Sequence, residues 1–447
     1  MSAATGQIAA FACAAHEPPA AHADHLGRAL LDTVGCALAA TGSPLDAILG
    51  RWLERERSSG RSTVWTTGEQ TGASLAAFVN GTAAHALDWD DVSPGSAMHP
   101  SVVLLPALLA QAEELEVDGA ALVAAYDVGA AVFRGVAQAL PATEHYRRGW
   151  HTTSTVGRLA AVAALAALRG LDESATRSAL GVAASLAAGS RANFGTMTKP
   201  LHAGAAARDA LVAVALAADG LTANPMALDV EHGFFALYGE PAAVADLGGA
   251  LTHWRLAWPG DWALKRYPAC YATHRAIDAA LRLRPGLAAG PPEEVEVVVE
   301  PGGLRPLLPG LPATPTEARF SMAYVVSVAL IHGGVRLAHF TDAALGDRAV
   351  RSLLERIRVR ESDVPPVGPE TYADGYAVVR VAGGGECRID VTEGDARLPL
   401  TDAALADKFA DCCVAGGLDG VAGDRLRTRL LSLPRTAGAI GSIRAPV

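Results

Sequence analysis

Carboxylates, imidazoles and lysines recur in four short segments of this chain, each set among small residues, prolines or glycines. The first runs His85-Ala-Leu-Asp88-Trp-Asp90-Asp91 and continues through Met98-His99-Pro100-Ser101. The second is Gly149-Trp150-His151-Thr152-Thr153-Ser154, and the third spans Arg191 to Gly204 with Lys199-Pro200-Leu201-His202 inside it. The fourth is Lys265-Arg266-Tyr267-Pro268-Ala269-Cys270, followed by Thr273-His274. Carboxylates as close as Asp88, Asp90 and Asp91 repel, so cations are expected beside them. A bound metal ion would serve, but no second metal-binding motif is evident in the chain, and the site is read as metal-free. His99, His151 and Lys199 each adjoin an expected helix start, where backbone N–H groups and the helix dipole favour anions.

Each segment also has a plain structural reading. The aspartates could mark a solvated helix end, His151 a capping or packing imidazole, Lys199 a water-facing loop, and Lys265-Arg266 a basic hinge. Repetition favours chemistry. Several helix N-termini carrying cationic or imidazole side chains suit a small polycarboxylate, and the matching reaction is proton abstraction α to a carboxylate. Loss of water, loss of CO₂ or reprotonation on the opposite face can each follow.

Lysine usage points the same way. Of 37 basic residues only Lys199, Lys265 and Lys408 are lysines. A chain that otherwise chooses arginine keeps lysine where a compact ammonium, able to transfer a proton, is needed.

The elements that must position these groups are mostly helical. Apolar residues at helical spacing predict helices near 22–40, 72–87, 100–115, 119–139, 153–169, 173–188 and 204–219, with Gly170 and Gly220 as stops. After about Trp262 the texture changes: 293–300, 376–381 and 387–391 are β-like, with a helical stretch over 315–331. Helices return at 402–414 and 424–433. The expected architecture is mainly α: a large helical domain from residues 1–262, completed by 400–447, and a smaller α+β domain over 263–399.

A net charge of −10 argues against nucleic acid as partner, while leaving room for a locally positive pocket. The apolar runs 159–168 and 211–218 are closed by charged residues and fall short of the roughly 20 residues a bilayer requires, so no membrane span is expected. Met1 to His16 lacks a basic leader pattern. The six cysteines form no CxxC pair, which disfavours zinc and iron–sulfur sites and fits a reducing cytoplasm.

Taken together and in order, LDWDD…HPS, GWHTT, FGTMTKPLHAGAAARDA, GFFALY, KRYPACYATHRAIDA and ARFSMAYVVSVAL resemble the motifs of the MmgE/PrpD family. The resemblance spans nearly the whole chain. It implies an all-helical domain built from both chain ends, an α+β lid domain, a homodimer, and no metal or organic cofactor. By motif it implies Asp88, His99, His151, Lys199 and Lys265 as catalytic residues and Tyr324 as a pocket residue. Asp91, Thr152, His202, Arg266, Cys270 and His274 are the expected substrate-binding neighbours. Family decarboxylases carry a second histidine where this chain has Cys270, which looks more like the dehydratases. The leading expectation is therefore a cofactor-independent hydro-lyase acting on a citrate- or methylcitrate-like acid. Decarboxylation of a cis-aconitate-type acid, epimerisation of an amino- or imino-dicarboxylate, and a catalytically silent binding protein are the alternatives.

Overall fold

In the computed structural model, described for residues 3–443 apart from 57, 141, 240–246, 288–291 and 364–371, helices dominate. The first half contains α1 (Ala4–Cys13), α2 (Ala20–Ala39), α3 (Pro44–Glu56), α4 (Ala73–His85), α5 (Ser101–Leu115), α6 (Gly119–Ala139) and α7 (Ala142–Arg147). Then come α8 (Thr152–Arg169), α9 (Glu173–Leu186), α10 (Thr198–Ala218), α11 (Phe234–Tyr238) and α12 (Leu247–Ala257). A short hairpin pairs β1 (Ser62–Thr63) with β2 (Gln70–Thr71). One apolar core gathers residues from Ala4 to Trp262 together with Leu400 to Ile443. The later residues belong largely to α18 (Asp402–Ala415) and α19 (Gly420–Ser432), which pack on α2.

Small residues set the spacing inside this core. Gly81 of α4 faces Gly204 of α10 so closely that a Cβ on Gly204 would fall 2.1 Å from the Phe78 carbonyl oxygen. Only two backbones without side chains can meet this way. The apolar run expected at 211–218 lies inside the longer α10, and α6 and α10, at 21 residues each, are apolar enough to cross a bilayer. Their apolar windows are 83% and 67% buried, as suits helices of a protein core.

A second apolar core draws on residues from Tyr267 to Ile389. Its four-stranded sheet has the order β4-β3-β5-β6, from β3 (Val295–Val299), β4 (Ile357–Glu361), β5 (Ala377–Val381) and β6 (Gly385–Ile389). β3 lies parallel to β4 and antiparallel to β5, and β5 and β6 form a hairpin. The Val-rich β3 is central and buried. The edge strand β4, Ile-Arg-Val-Arg-Glu, alternates half-buried and exposed residues. α13 (His274–Leu283) and α15 (Met322–His332) pack on the sheet, α17 (Arg348–Leu354) packs on α15, and the short α14 (Pro315–Ala318) lies against α16 (Asp342–Leu345).

Two boundaries differ from expectation. α10 begins at Thr198, six residues before the predicted start, because Pro200 is tolerated in a first turn whose N–H groups have no helical partner. The stretch 315–331 is two helices, parted at Arg319–Ser321, where the Ser321 hydroxyl accepts from the Tyr324 amide and starts α15.

Candidate active site

The Gly81–Gly204 contact brings the end of α4 beside the start of α10. His85 closes α4, and the chain then turns sharply through Asp88, whose φ is 52°. That left-handed conformation costs an L-residue about 1–2 kcal/mol, although Asp tolerates it better than most. The turn aims the Asp88 carboxylate at two cations. Lys199 Nζ, in the first turn of α10, donates to Asp88 Oδ1 at 2.8 Å. Lys265 Nζ donates to the same oxygen at 2.9 Å and to the Asp88 carbonyl at 2.7 Å. Side chains of all three are at least 95% buried. Burial opposes ionisation of Asp88, but the two ammonium groups outweigh it and hold the carboxyl well below its usual range. Burial likewise opposes the charge on Lys265, and Asp88 and Asp90 overcome it, raising its pKa.

Imidazoles complete one side. His99 Nδ1 lies 2.9 Å from the Asp91 carbonyl oxygen and 3.0 Å from Asp90 Oδ2. A carbonyl only accepts, so Nδ1 carries the proton and Nε2 keeps its lone pair, 3.8 Å from Asp88 Oδ1. His85 Nδ1 also contacts Asp90, at 2.9 Å, and its buried Nε2 has no hydrogen-bond partner among the described residues. Burial lowers His99 and pushes His85 down to about 4. His151, the N-cap of α8, meets His202 at 3.1 Å between their Nδ1 atoms. Burial pushes His202 to about 4 and His151 well below its ordinary value. At neutral pH these imidazoles are uncharged, so the positive charge here belongs to lysine and arginine.

The segment after Lys265 closes the other side. Burial lifts the Cys270 thiol to about 11, with the Asp88 charge reinforcing it. Arg319 sits in the break between α14 and α15, donates to the Pro268 carbonyl at 2.9 Å, and is pushed by burial to about 10. Lys199 Nζ lies 5.3 Å from the Phe194 ring centre and 5.1 Å from that of Phe320.

Other expected site residues have separate partners. Asp91 accepts from the Ser101 amide at 3.1 Å and from the Ser101 hydroxyl, so it anchors the start of α5; burial raises it to about 8. Thr152 is the buried first residue of α8. His274 Nε2 lies 3.1 Å from the Ala269 carbonyl oxygen, and burial lowers that ring to about 3. The Arg266 guanidinium pairs with Glu393 near the surface, and the Tyr324 hydroxyl donates to the His339 carbonyl at 2.5 Å. Sequence reasoning placed His85 and Asp90 in the first segment without giving either a role at the site, and it passed over Phe194, Arg319 and Phe320. It also missed Thr153, whose hydroxyl accepts from the His99 amide at 3.1 Å. All six stand inside the quoted motifs, so the motifs were the available signal.

His85, Asp88, Asp90 and His99 offer ligand atoms within 4.8 Å of one another, the spacing of a metal site. The donor chemistry does not fit one. Asp88 Oδ1 is taken by two ammonium groups, although His85 and His99, whose Nδ1 atoms face Asp90, each keep an Nε2 lone pair. A divalent ion would add its charge beside the ammonium groups of Lys199 and Lys265, which repel it.

Comparison with known proteins identifies the family. The MmgE/PrpD N-terminal domain matches residues 6–245 and the MmgE/PrpD C-terminal domain matches residues 267–421. The chain is 32% identical to the cis-aconitate decarboxylase of Homo sapiens, over 86% of this chain and 81% of that one. Identity to the Mus musculus cis-aconitate decarboxylase is also 32%, over 86% and 80%. A cis-aconitate decarboxylase-like protein of Aspergillus oryzae is 27% identical over 93% and 91%. With both domains matched in order over most of its length, the chain belongs to the MmgE/PrpD family.

Proposed function

We propose that this protein is a cofactor-independent lyase for a small di- or tricarboxylate, with dehydration of a citrate- or methylcitrate-type acid as its reaction. The observation that carries the proposal is the convergence of Lys199 and Lys265 on one carboxylate oxygen beside the uncharged His99. The ammonium groups with Arg319 neutralise substrate carboxylates and the enolate-like charge that develops on proton removal. His99 Nε2, with its lone pair directed inward, is the proposed base, and His151 with its partner His202 the proposed proton carrier for the departing group.

Substrate must reach groups that are nine-tenths or more buried. The α+β unit therefore acts as a lid over the helical body, opening where Phe194 faces Phe320 at 6.4 Å between ring centres. Water is excluded on closure, which strengthens every charge interaction inside. The working form is proposed to be a homodimer in the cytoplasm.

A second reading, decarboxylation of a cis-aconitate-type acid, is favoured by the names of the relatives. Cys270 weighs against it, because a buried thiol near pKa 11 is a poor match for an imidazole acid. Protein dialysed against chelator and incubated with 2-methylcitrate, citrate and cis-aconitate separates the readings. A rise in alkene absorbance supports dehydration, and CO₂ release from cis-aconitate supports decarboxylation. Solvent deuterium incorporation without a change of composition indicates epimerisation. No turnover, with no rise in melting temperature on adding any of the acids, would overturn the enzymatic reading.

A further inference from the structure

Lys408 is the one lysine outside the four chemical segments, in a helix contributed by the far end of the chain. It is buried, and its Nζ has three acceptors. Asp32 Oδ1 of α2 lies at 2.5 Å, the Trp89 carbonyl oxygen at 2.6 Å and the Lys265 carbonyl oxygen at 2.8 Å. An ammonium has three N–H donors, so all are used. Trp89 directly follows Asp88, and its indole Nε1 donates to the Arg266 carbonyl at 3.0 Å. One side chain thus ties together the two backbone segments that carry Asp88 and Lys265, and anchors both to the helical body through α2.

We propose that Lys408 is a positioning residue that sets the register between Asp88 and Lys265; the reaction served rests on the reading given above. Asp88 and Lys265 come from segments 177 residues apart, and their contact is as good as the backbone alignment behind it. A misplacement of about 1 Å at a catalytic contact can cost on the order of a hundredfold in rate. Convergence of three acceptors on one tetrahedral nitrogen also explains why this position is not arginine, whose planar fork spreads its N–H groups apart. The third lysine thereby joins the other two in one assembly.

The test compares wild-type protein with Lys408→Met and with the double variant Asp32→Asn/Lys408→Met. The single variant strands a buried carboxylate and is expected to melt lower. The double variant removes both charges, so its melting temperature returns towards wild type while the two carbonyls stay untied. Because the chain has only three lysines, ¹³C-lysine labelling yields three side-chain sets, assigned by single substitution. In the double variant the Lys265 and Lys199 signals are expected to shift, and kcat to fall about ten- to a hundredfold. A double variant with wild-type melting temperature, unmoved Lys265 and Lys199 signals and wild-type kcat would overturn the proposal. If the double variant does not fold, Lys408→Arg carries the same comparison, keeping the charge opposite Asp32 without the convergent donors. If wild-type protein turns over none of the acids, the functional reading fails, while the lysine signals still decide the role of Lys408.

Discussion

Replacing Asp88 with asparagine tests the central ion cluster quantitatively. Asp88 faces Lys199 and Lys265 at 2.8 and 2.9 Å, with side chains 95% or more buried. At an effective dielectric of about 20 each contact has a Coulomb energy of roughly 6 kcal/mol, much of it offset by desolvation. Removing one partner of a buried pair costs about 3–5 kcal/mol, because the other charge is stranded. The penalty has a ceiling, since a stranded lysine can release its proton. At pH 7 that release costs about 1.36 kcal/mol for each unit below a pKa of about 10.4, or roughly 4.6 kcal/mol; at pH 9 it costs about 1.9 kcal/mol. In the variant a lysine therefore has a depressed folded pKa, the unfolded chain binds more protons, and stability rises with pH. In the wild type Lys265 is shifted upward, so its contribution is complete below about pH 10 and does not change between pH 7 and 9. Denaturant titrations of both proteins at pH 7 and pH 9 should show a deficit of about 3–5 kcal/mol that narrows at the higher pH, by roughly 1 kcal/mol for a deficit of about 3 and by roughly 2–3 kcal/mol for one near the ceiling. Asp90 remains near Lys265 and keeps the deficit towards the lower end of that range. Equal stability at pH 7, or a deficit that ignores pH, would refute the buried ion-cluster reading.

Three further outcomes are expected. His85 is fully buried and pushed to about 4, so the unfolded chain takes up its proton first as pH falls below about 6.5; stability should drop by about 3 kcal/mol from this residue by pH 4, and His85→Asn should flatten the acid limb of a melting-temperature profile. Exhaustive chelation should leave both melting temperature and turnover unchanged, and a loss restored by zinc or manganese would show that the His85, Asp88, Asp90, His99 group holds a metal after all. Gly204→Ala forces a methyl to within 2.1 Å of the Phe78 carbonyl oxygen and 2.2 Å of the Thr82 hydroxyl, so it should cost about 3 kcal/mol or more and lower activity by separating α4 from α10; a melting temperature within a degree or two of wild type would contradict that packing.

The helical framework could be read from the chain because its signals are local. Apolar periodicity and C-terminal glycines are properties of neighbouring residues, and α2, α5, α6, α8 and α9 fall close to where they were expected. Elements with weaker patterns escaped. β4 alternates arginine with half-buried aliphatics and owes its place to pairing with β3, and α3, α12 and α17 were not anticipated. α10 starts ahead of the expected 204 because Pro200 is tolerated in its first turn, where no N–H partner is lost.

For the site, residue types and motif order identified Asp88, His99, His151, Lys199 and Lys265 as chemical groups, since rarity and spacing are written in the chain itself. Which of them touch, and in what charge state, was decided by long-range packing. The Gly81–Gly204 approach lays Lys199 against Asp88, and the break at Arg319 turns a third cation towards them. Burial renders the imidazoles neutral, so the positive charge of the site belongs to lysine and arginine. Lys408 shows the same division: its composition marked it as unusual, but its three acceptors come from residues 32, 89 and 265, and only the folded chain brings those together. Local sequence determined the helices and the stock of reactive groups, whereas tertiary structure decided their pairing and protonation, because both depend on distance and dielectric between segments far apart in the chain.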